Sequence, residues 1–423
     1  MSSVLDIAAL LLGMAALSGW LNLRFIHLPQ ALLLLLTGLA VAAAIVMAER
    51  VGGSGVVVGD VERALHSIDF SGVVLQGMLA LLLFASALSV DLGRLKRRSL
   101  MIATLALVGT TVATAATGLA FWLSALALAA PLSAAWCFVF GALISPTDPV
   151  AVMGVTRSVE VSEGLLAELE GEALFNDGMG VVLFSALVAF ATEPAAGLTF
   201  SEFAILLLRE IGGGLGLGLA AGYASYRAIS GINNFTVESM ITLALAVGVY
   251  AVAQHLHVSG PLAVVAAGLF IGEQGLKHAM SGTTRRYLTA FWTLIDRILN
   301  ALLFLLIGLE VLVLRYADVH LGLALAAIPI VIAARLLALL VPLAAKPLMR
   351  SLSPRNIPFL TWGGVRGGVS IALALSIPEG PEKEMILAAT YAVVLFGILL
   401  QLPTLPRVAR WTIASSGKRL EQD

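Results

Sequence analysis

Ser145-Pro146-Thr147-Asp148-Pro149 interrupts an apolar run that covers about residues 131–156. Two prolines three positions apart in a five-residue window remove backbone donors and disrupt the i to i−4 ladder, so the run cannot be one continuous helix. An aspartate sits inside the break. The meaning of that arrangement depends on the solvent around it, and composition decides the solvent. Of 423 residues, 59% are hydrophobic and 12% charged, with a mean hydropathy of +0.99; soluble domains carry about 25% charged residues. The chain reads as a polytopic membrane protein. At membrane depth a broken helix is tolerated where it lines a cavity or is buried in protein, and its freed carbonyls and helix ends are ready ion ligands.

Working outward, windows of about 20 apolar residues give thirteen candidate spans: Val4–Asn22, then approximately 30–48, 70–90, 99–127, 131–156, 165–190, 200–227, 236–254, 258–274, 289–313, 320–342, 357–377 and 384–404. The first reads as a span rather than a removable signal peptide. The Gly/Val-rich stretch Val51–Asp69 reads as an irregular external loop. With the N-terminus outside and the C-terminus cytoplasmic, seventeen Lys/Arg fall in inner loops and four in outer ones, the bias expected of a membrane topology. Cys137 has no partner cysteine, which excludes a disulfide framework within the chain. A net charge of −1 recommends no nucleic-acid partner.

Charges inside spans are costly unless paired, hydrated or neutralised. Asp177 lies at the centre of the sixth span, and Asp148 lies in the break of the fifth, beside the Thr147 hydroxyl. Carboxylate oxygens from two consecutive spans are hard ligands suited to a small alkali cation. The plainer readings are a helix cap for Asp148 and a permanently protonated, hydrogen-bonding acid for Asp177. In Glu172-Ala173-Leu174-Phe175-Asn176-Asp177-Gly178, residues four apart share a face, so Ala173 and Asp177 point one way, Glu172 and Asn176 another. Glu172 and Arg335 each lie seven residues from the cytoplasmic ends of their spans, and their matched depth predicts a buried ion pair; the alternative is a hydrated Glu172 with Arg335 snorkelling.

Trp362-Gly363-Gly364-Val365-Arg366-Gly367-Gly368 places four glycines around one arginine in the twelfth span and predicts a second interrupted helix. Discontinuous helices at corresponding places in two halves are the mark of inverted-repeat transporters, with substrate bound between them. Spans four to six and eleven to thirteen then form matching triplets. Arg366 supplies a fixed positive charge near the crossing or, equally, a structural anchor. Gly212-Gly213-Gly214 reads as close helix packing and not as a phosphate loop, since no strand precedes it. Arg209 with Glu210, and Asp296 with Arg297, read as adjacent opposite charges that neutralise their surroundings.

Taken together, Ser145-Pro146-Thr147-Asp148-Pro149-Val150-Ala151-Val152 and, about thirty residues on, Gly171-Glu172-Ala173-Leu174-Phe175-Asn176-Asp177-Gly178 resemble the paired signature of the NhaP/NHE-type monovalent cation:proton antiporters. Asn300 to Leu309, Arg335 and the Gly-Gly-Val-Arg-Gly-Gly segment match in order. The resemblance implies an all-α homodimer of thirteen-helix protomers in the inner membrane, with no cofactor and no enzymatic activity. It divides the chain into a dimerisation bundle (1–98 and 231–317), an ion-carrying core (99–192 and 318–406), a linker helix (193–230) and a short tail (407–423). Asp177 becomes the carrier of cation and proton, with Asp148, Thr147 and Asn176 shaping the site and Glu172, Arg335 and Arg366 supporting it. The Asn176-Asp177 pair implies electroneutral exchange. Two departures stand out: Ala173 replaces a usual serine, and Phe84-Ala85-Ser86-Ala87 stands where many archaeal members have Leu-Phe-Glu-Gly.

The expected mechanism is exchange of Na+, or of Li+, for a proton by competition for the Asp177 carboxylate, with the loaded core moving elevator-fashion; membrane lipid surrounds it. The runner-up is a K+ or NH4+ exchanger of the same fold. A channel is distinguished by flux that needs no counter-gradient. An intramembrane aspartyl protease is disfavoured because Asp148 and Asp177 follow Pro-Thr and Phe-Asn, not Gly-x-Gly.

Overall fold

A computed structural model describes residues 4–52, 77–90, 92–149, 152–153, 161, 163–192, 200–310, 320–344 and 354–413. Every regular element among them is helical. In order they are α1 (Val4–Leu21), α2 (Gln30–Gly52), α3 (Leu79–Ser89), α4 (92–127, with a π-helical stretch at Thr104–Gly109), α5 (Ala134–Ile144), α6 (Glu163–Thr192), α7 (Phe200–Ile229), α8 (Phe235–His255), α9 (Gly260–Phe270, continued by the π-helical Ile271–Ala279), α10 (Gly282–Glu310), α11 (Leu321–Ala344), α12 (Ile357–Trp362), α13 (Gly368–Leu375) and α14 (381–413, π-helical at Gly397–Gln401).

Nine helices among the described residues are long and apolar enough to cross a membrane, and α3 and α5 are shorter apolar helices. Most of the expected external loop at Val51–Asp69, and most of the residues that follow the break in the fifth span, lie outside the described residues. Thirteen spans therefore stays an expectation, while the all-helical polytopic architecture is observed. Some boundaries move. The helix expected to begin near residue 289 begins at Gly282, because hydropathy falls at Arg285 and Arg286 whereas backbone hydrogen bonding continues through the exposed end of a helix.

Local chemistry fixes the starts of several helices. Asn234 caps α8 by accepting from the amides of Thr236 and Val237, and Glu238 reaches back to the Asn234 amide at 3.0 Å. Ser259 caps α9, with Pro261 in its first turn.

The helices pack in two groups. α4, α5, α6, α11, α13 and α14 form one set, and α1, α2, α3, α7, α8, α9 and α10 form a second; the two meet where α6 packs on α7 and α9 and where α10 packs on α13. Burial differs sharply along the chain. Only 11% of the apolar window of α1, and 11% of that of α7, is covered by the rest of the protein, against 72% for Pro381–Thr412. α1 and α7 leave apolar faces uncovered, whereas α14 is interior.

Candidate functional site at the crossing of two interrupted helices

α5 ends at Ile144, and residues 145–148 run on without helical pairing. In a helix the Ser145 carbonyl accepts from the amide of residue 149, but that residue is proline and has no N–H. The orphaned carbonyl is taken instead by Arg366, whose Nη1 donates to it at 2.7 Å and to the Pro146 carbonyl at 3.0 Å. A guanidinium at the C-terminal end of a helix also complements the negative end of its dipole.

Arg366 reaches that position because the second predicted interruption exists. α12 stops at Trp362, residues 363–367 are non-helical, and α13 starts at Gly368. The two breaks are bonded directly as well: the Asp148 amide donates to the Val365 carbonyl at 2.8 Å. At Gly367 a side chain has no room. A Cβ there would lie 2.7 Å from Asp148 Oδ2 and 2.8 Å from Asp148 Cβ, so glycine lets the second break press against the aspartate of the first.

α6 supplies the third wall. Asn176, buried, donates from Nδ2 to Thr147 Oγ1 at 3.0 Å, and its Oδ1 stands 3.5 Å from the Thr147 amide. A Cβ on Gly180 would overlap the Pro146 ring, which sets how closely α6 approaches the break. Asp177, one residue beyond Asn176 and about 100° round the helix, faces a cavity of about 620 Å³ whose lining includes Thr147, Asp148 and Asp177 together with Ser370 of α13 and Asp296 and Asn300 of α10.

Away from the cavity, Glu172 and Arg335 form a two-pronged ion pair, with Arg335 Nη2 donating to Glu172 Oε2 at 2.8 Å and Nη1 to Oε1. Both side chains are almost fully buried. Arg335 Nε also donates to the Leu360 carbonyl at 3.4 Å, tying α11 to α12. This pair occupies the charge of Glu172 on a face other than that of Asp177.

The residues singled out in the sequence thus fall into two clusters: Thr147, Asp148, Asn176, Asp177 and Arg366 at the crossing, and Glu172 with Arg335 behind it. Others were missed. Glu170 lines the cavity; it precedes Asp177 by seven residues, two helical turns, and that spacing was a usable signal. Asp296 does more than offset Arg297, since Asn300 Nδ2 donates to its Oδ1 at 3.0 Å and both line the cavity. Ser370 carried no sequence signal beyond lying past the glycine cluster.

Crossed interrupted helices, with Asp148 and Asp177 in a cavity beside the crossing, define a polytopic secondary transporter. The chain belongs to the sodium/hydrogen exchanger family of transmembrane proteins, whose profile matches residues 12–411. It is 43% identical over 403 residues to the Na(+)/H(+) antiporter NhaP of Pseudomonas aeruginosa, covering 94% of each chain. It is 34% identical over 346 residues to the Na(+)/H(+) antiporter NhaH of Halobacillus aidingensis, covering 81% of this chain and 83% of that one. Its fold matches that of the sodium proton antiporter MjNhaP1 of Methanocaldococcus jannaschii with a TM-score of 0.72 at 19% identity, over 96% of this chain and 98% of that one. Membership of this family makes the protein a multi-pass membrane transporter and not an enzyme.

Proposed function

We propose that the protein exchanges Na+, and Li+ by the same route, for a proton across the plasma membrane, with Asp177 as the group for which the two compete. The observation that carries this reading is the cavity in which Asp177, Asp148 and Thr147 meet beside the crossed breaks. A cation on the Asp177 carboxylate opposes its protonation, and a proton removes the charge that holds the cation, so each ligand displaces the other by linkage. Asn176 is spent on Thr147 and carries no charge, which leaves one titrating group on that turn of α6 and favours a one-for-one, electroneutral exchange. The names of the relatives, Na(+)/H(+) antiporters, support the choice of sodium.

The cavity reaches Gln30, Ser89 and Val90, beside loops whose positive charge assigns them to the cytoplasm. In that orientation, with the N-terminus outside and the C-terminus inside, the cavity faces inward. The α4–α6 and α11–α14 group is then the body that carries the ion past the remaining helices, and the uncovered faces of α1 and α7 suit a homodimer or lipid.

The test is proton flux in proteoliposomes as Na+, Li+, K+ and NH4+ are added in turn, with and without a clamped membrane potential. Sodium and lithium dissipate the proton gradient at a rate the potential does not alter. A response to K+ or NH4+ in place of sodium contradicts the substrate, and a rate that follows the potential contradicts electroneutrality.

A further inference from the structure

Ala173 sits one turn before Asp177 on α6 and offers no side-chain oxygen to an ion held at Asp177. Of the side-chain oxygens around the cavity, the Thr147 hydroxyl accepts from Asn176, and Asp296 Oδ1 accepts from Asn300. One buried hydroxyl in the lining has no hydrogen-bond partner among the described residues: Ser370 Oγ, on a residue only 1% exposed. Helical serines and threonines ordinarily return their hydroxyl to the carbonyl four residues back, as Ser145 does to Gly141 and Thr390 to Ile386. Residue 366, four before Ser370, lies in the break before α13 begins, so that outlet is lost. Ser370 also follows Gly367 by three residues, close to one helical turn, which puts it on the side of α13 where a Cβ at Gly367 would touch the Asp148 carboxylate. An unpaired buried hydroxyl disfavours the folded state unless something uses it.

We propose that Ser370 Oγ is a ligand of the transported alkali cation, a neutral oxygen from the second interrupted helix that completes the set begun by Asp177 and Asp148. A small cation that sheds water on entering the cavity needs several oxygens in return, and a ligand from α13 joins both halves of the crossing to it. This rests on Asp177 being the carrier.

The test is sodium-dependent proton flux of the full-length protein in proteoliposomes, at one pH, for Ser370→Ala, Ser370→Thr and Asp177→Asn. Ser370→Ala raises the apparent KM for sodium about tenfold, the scale of one lost bond to a charged group. Ser370→Thr keeps the hydroxyl and stays within about threefold of the parent. The rise in melting temperature that sodium gives the purified protein shrinks in Ser370→Ala and persists in Ser370→Thr. A Ser370→Ala variant with unaltered sodium KM overturns the proposal, and if it does not purify intact, Ser370→Cys is held to the same criterion. Exchange that survives Asp177→Asn overturns the carrier reading itself, whereas its loss there with an unaltered Ser370→Ala sinks only the role of Ser370.

Discussion

Arg366 donates to the main-chain carbonyl of Ser145 at 2.7 Å across 221 positions of sequence, and so closes the gap that Pro149 opens in α5. Lysine carries the charge, but its nitrogen lies one bond short of the position of Arg366 Nη1, the single atom that donates to both carbonyls. Arg366→Lys and Arg366→Gln are therefore both expected to lower exchange by about a hundredfold or more and to reduce thermal stability, since each leaves buried carbonyls without donors. Vesicle flux and the melting temperature in detergent check this. A Lys variant with parental activity contradicts the need for the reach of Nη1 and leaves only the charge.

Glu172 and Arg335 pose a different problem, because a buried pair costs desolvation on both sides. Removing either partner alone strands a charge and costs about 3–5 kcal/mol. Glu172→Leu combined with Arg335→Met is expected to cost less than the two single changes added together, by at least about 1 kcal/mol. A double-mutant cycle of unfolding free energies measures the coupling, and additivity would show that the pair is not energetically joined.

Gly367 is a matter of space. Alanine puts a carbon within 2.7 Å of Asp148 Oδ2, so the carboxylate or the break must shift. Gly367→Ala is expected to reduce exchange about tenfold, in line with the sensitivity of a positioned ligand to a displacement on the order of 1 Å. Gly212→Ala, where nothing lies within 4 Å, serves as the control, and its flux matches the parent. Equal flux from both variants contradicts the close approach.

Asn176→Ala removes both contacts to Thr147 and leaves buried polar groups at the break without a partner, at a cost of about 1–3 kcal/mol. The melting temperature falls and the apparent KM for sodium rises. A variant with lowered stability and an unmoved KM would restrict Asn176 to a structural role.

Much of this was legible in the sequence because the signals were local. Pro146 and Pro149 announce the first break whatever surrounds them, the glycines about Arg366 announce the second, and the matched depths of Glu172 and Arg335 need only span boundaries good to a few residues. What stayed hidden depends on contact between distant segments. Nothing local says that Arg366 serves the Ser145 carbonyl, that Asp296 and Asn300 face the cavity, or that the Ser370 hydroxyl is left over; those facts exist only once α5, α10 and α13 are placed together. The π-helical stretches within α4, after α9 and within α14 were equally invisible, since they leave apolar composition unchanged.

Exchange by this route requires Asp177 to be the group shared by cation and proton. The direct measurement is sodium-driven proton flux in proteoliposomes reconstituted with Asp177→Asn, a near-isosteric change, using protein shown to be monodisperse. No sodium-dependent proton movement above that of empty vesicles is the predicted result. Sodium-dependent proton movement persisting at a rate comparable to the parent would place the shared site elsewhere and contradict the account.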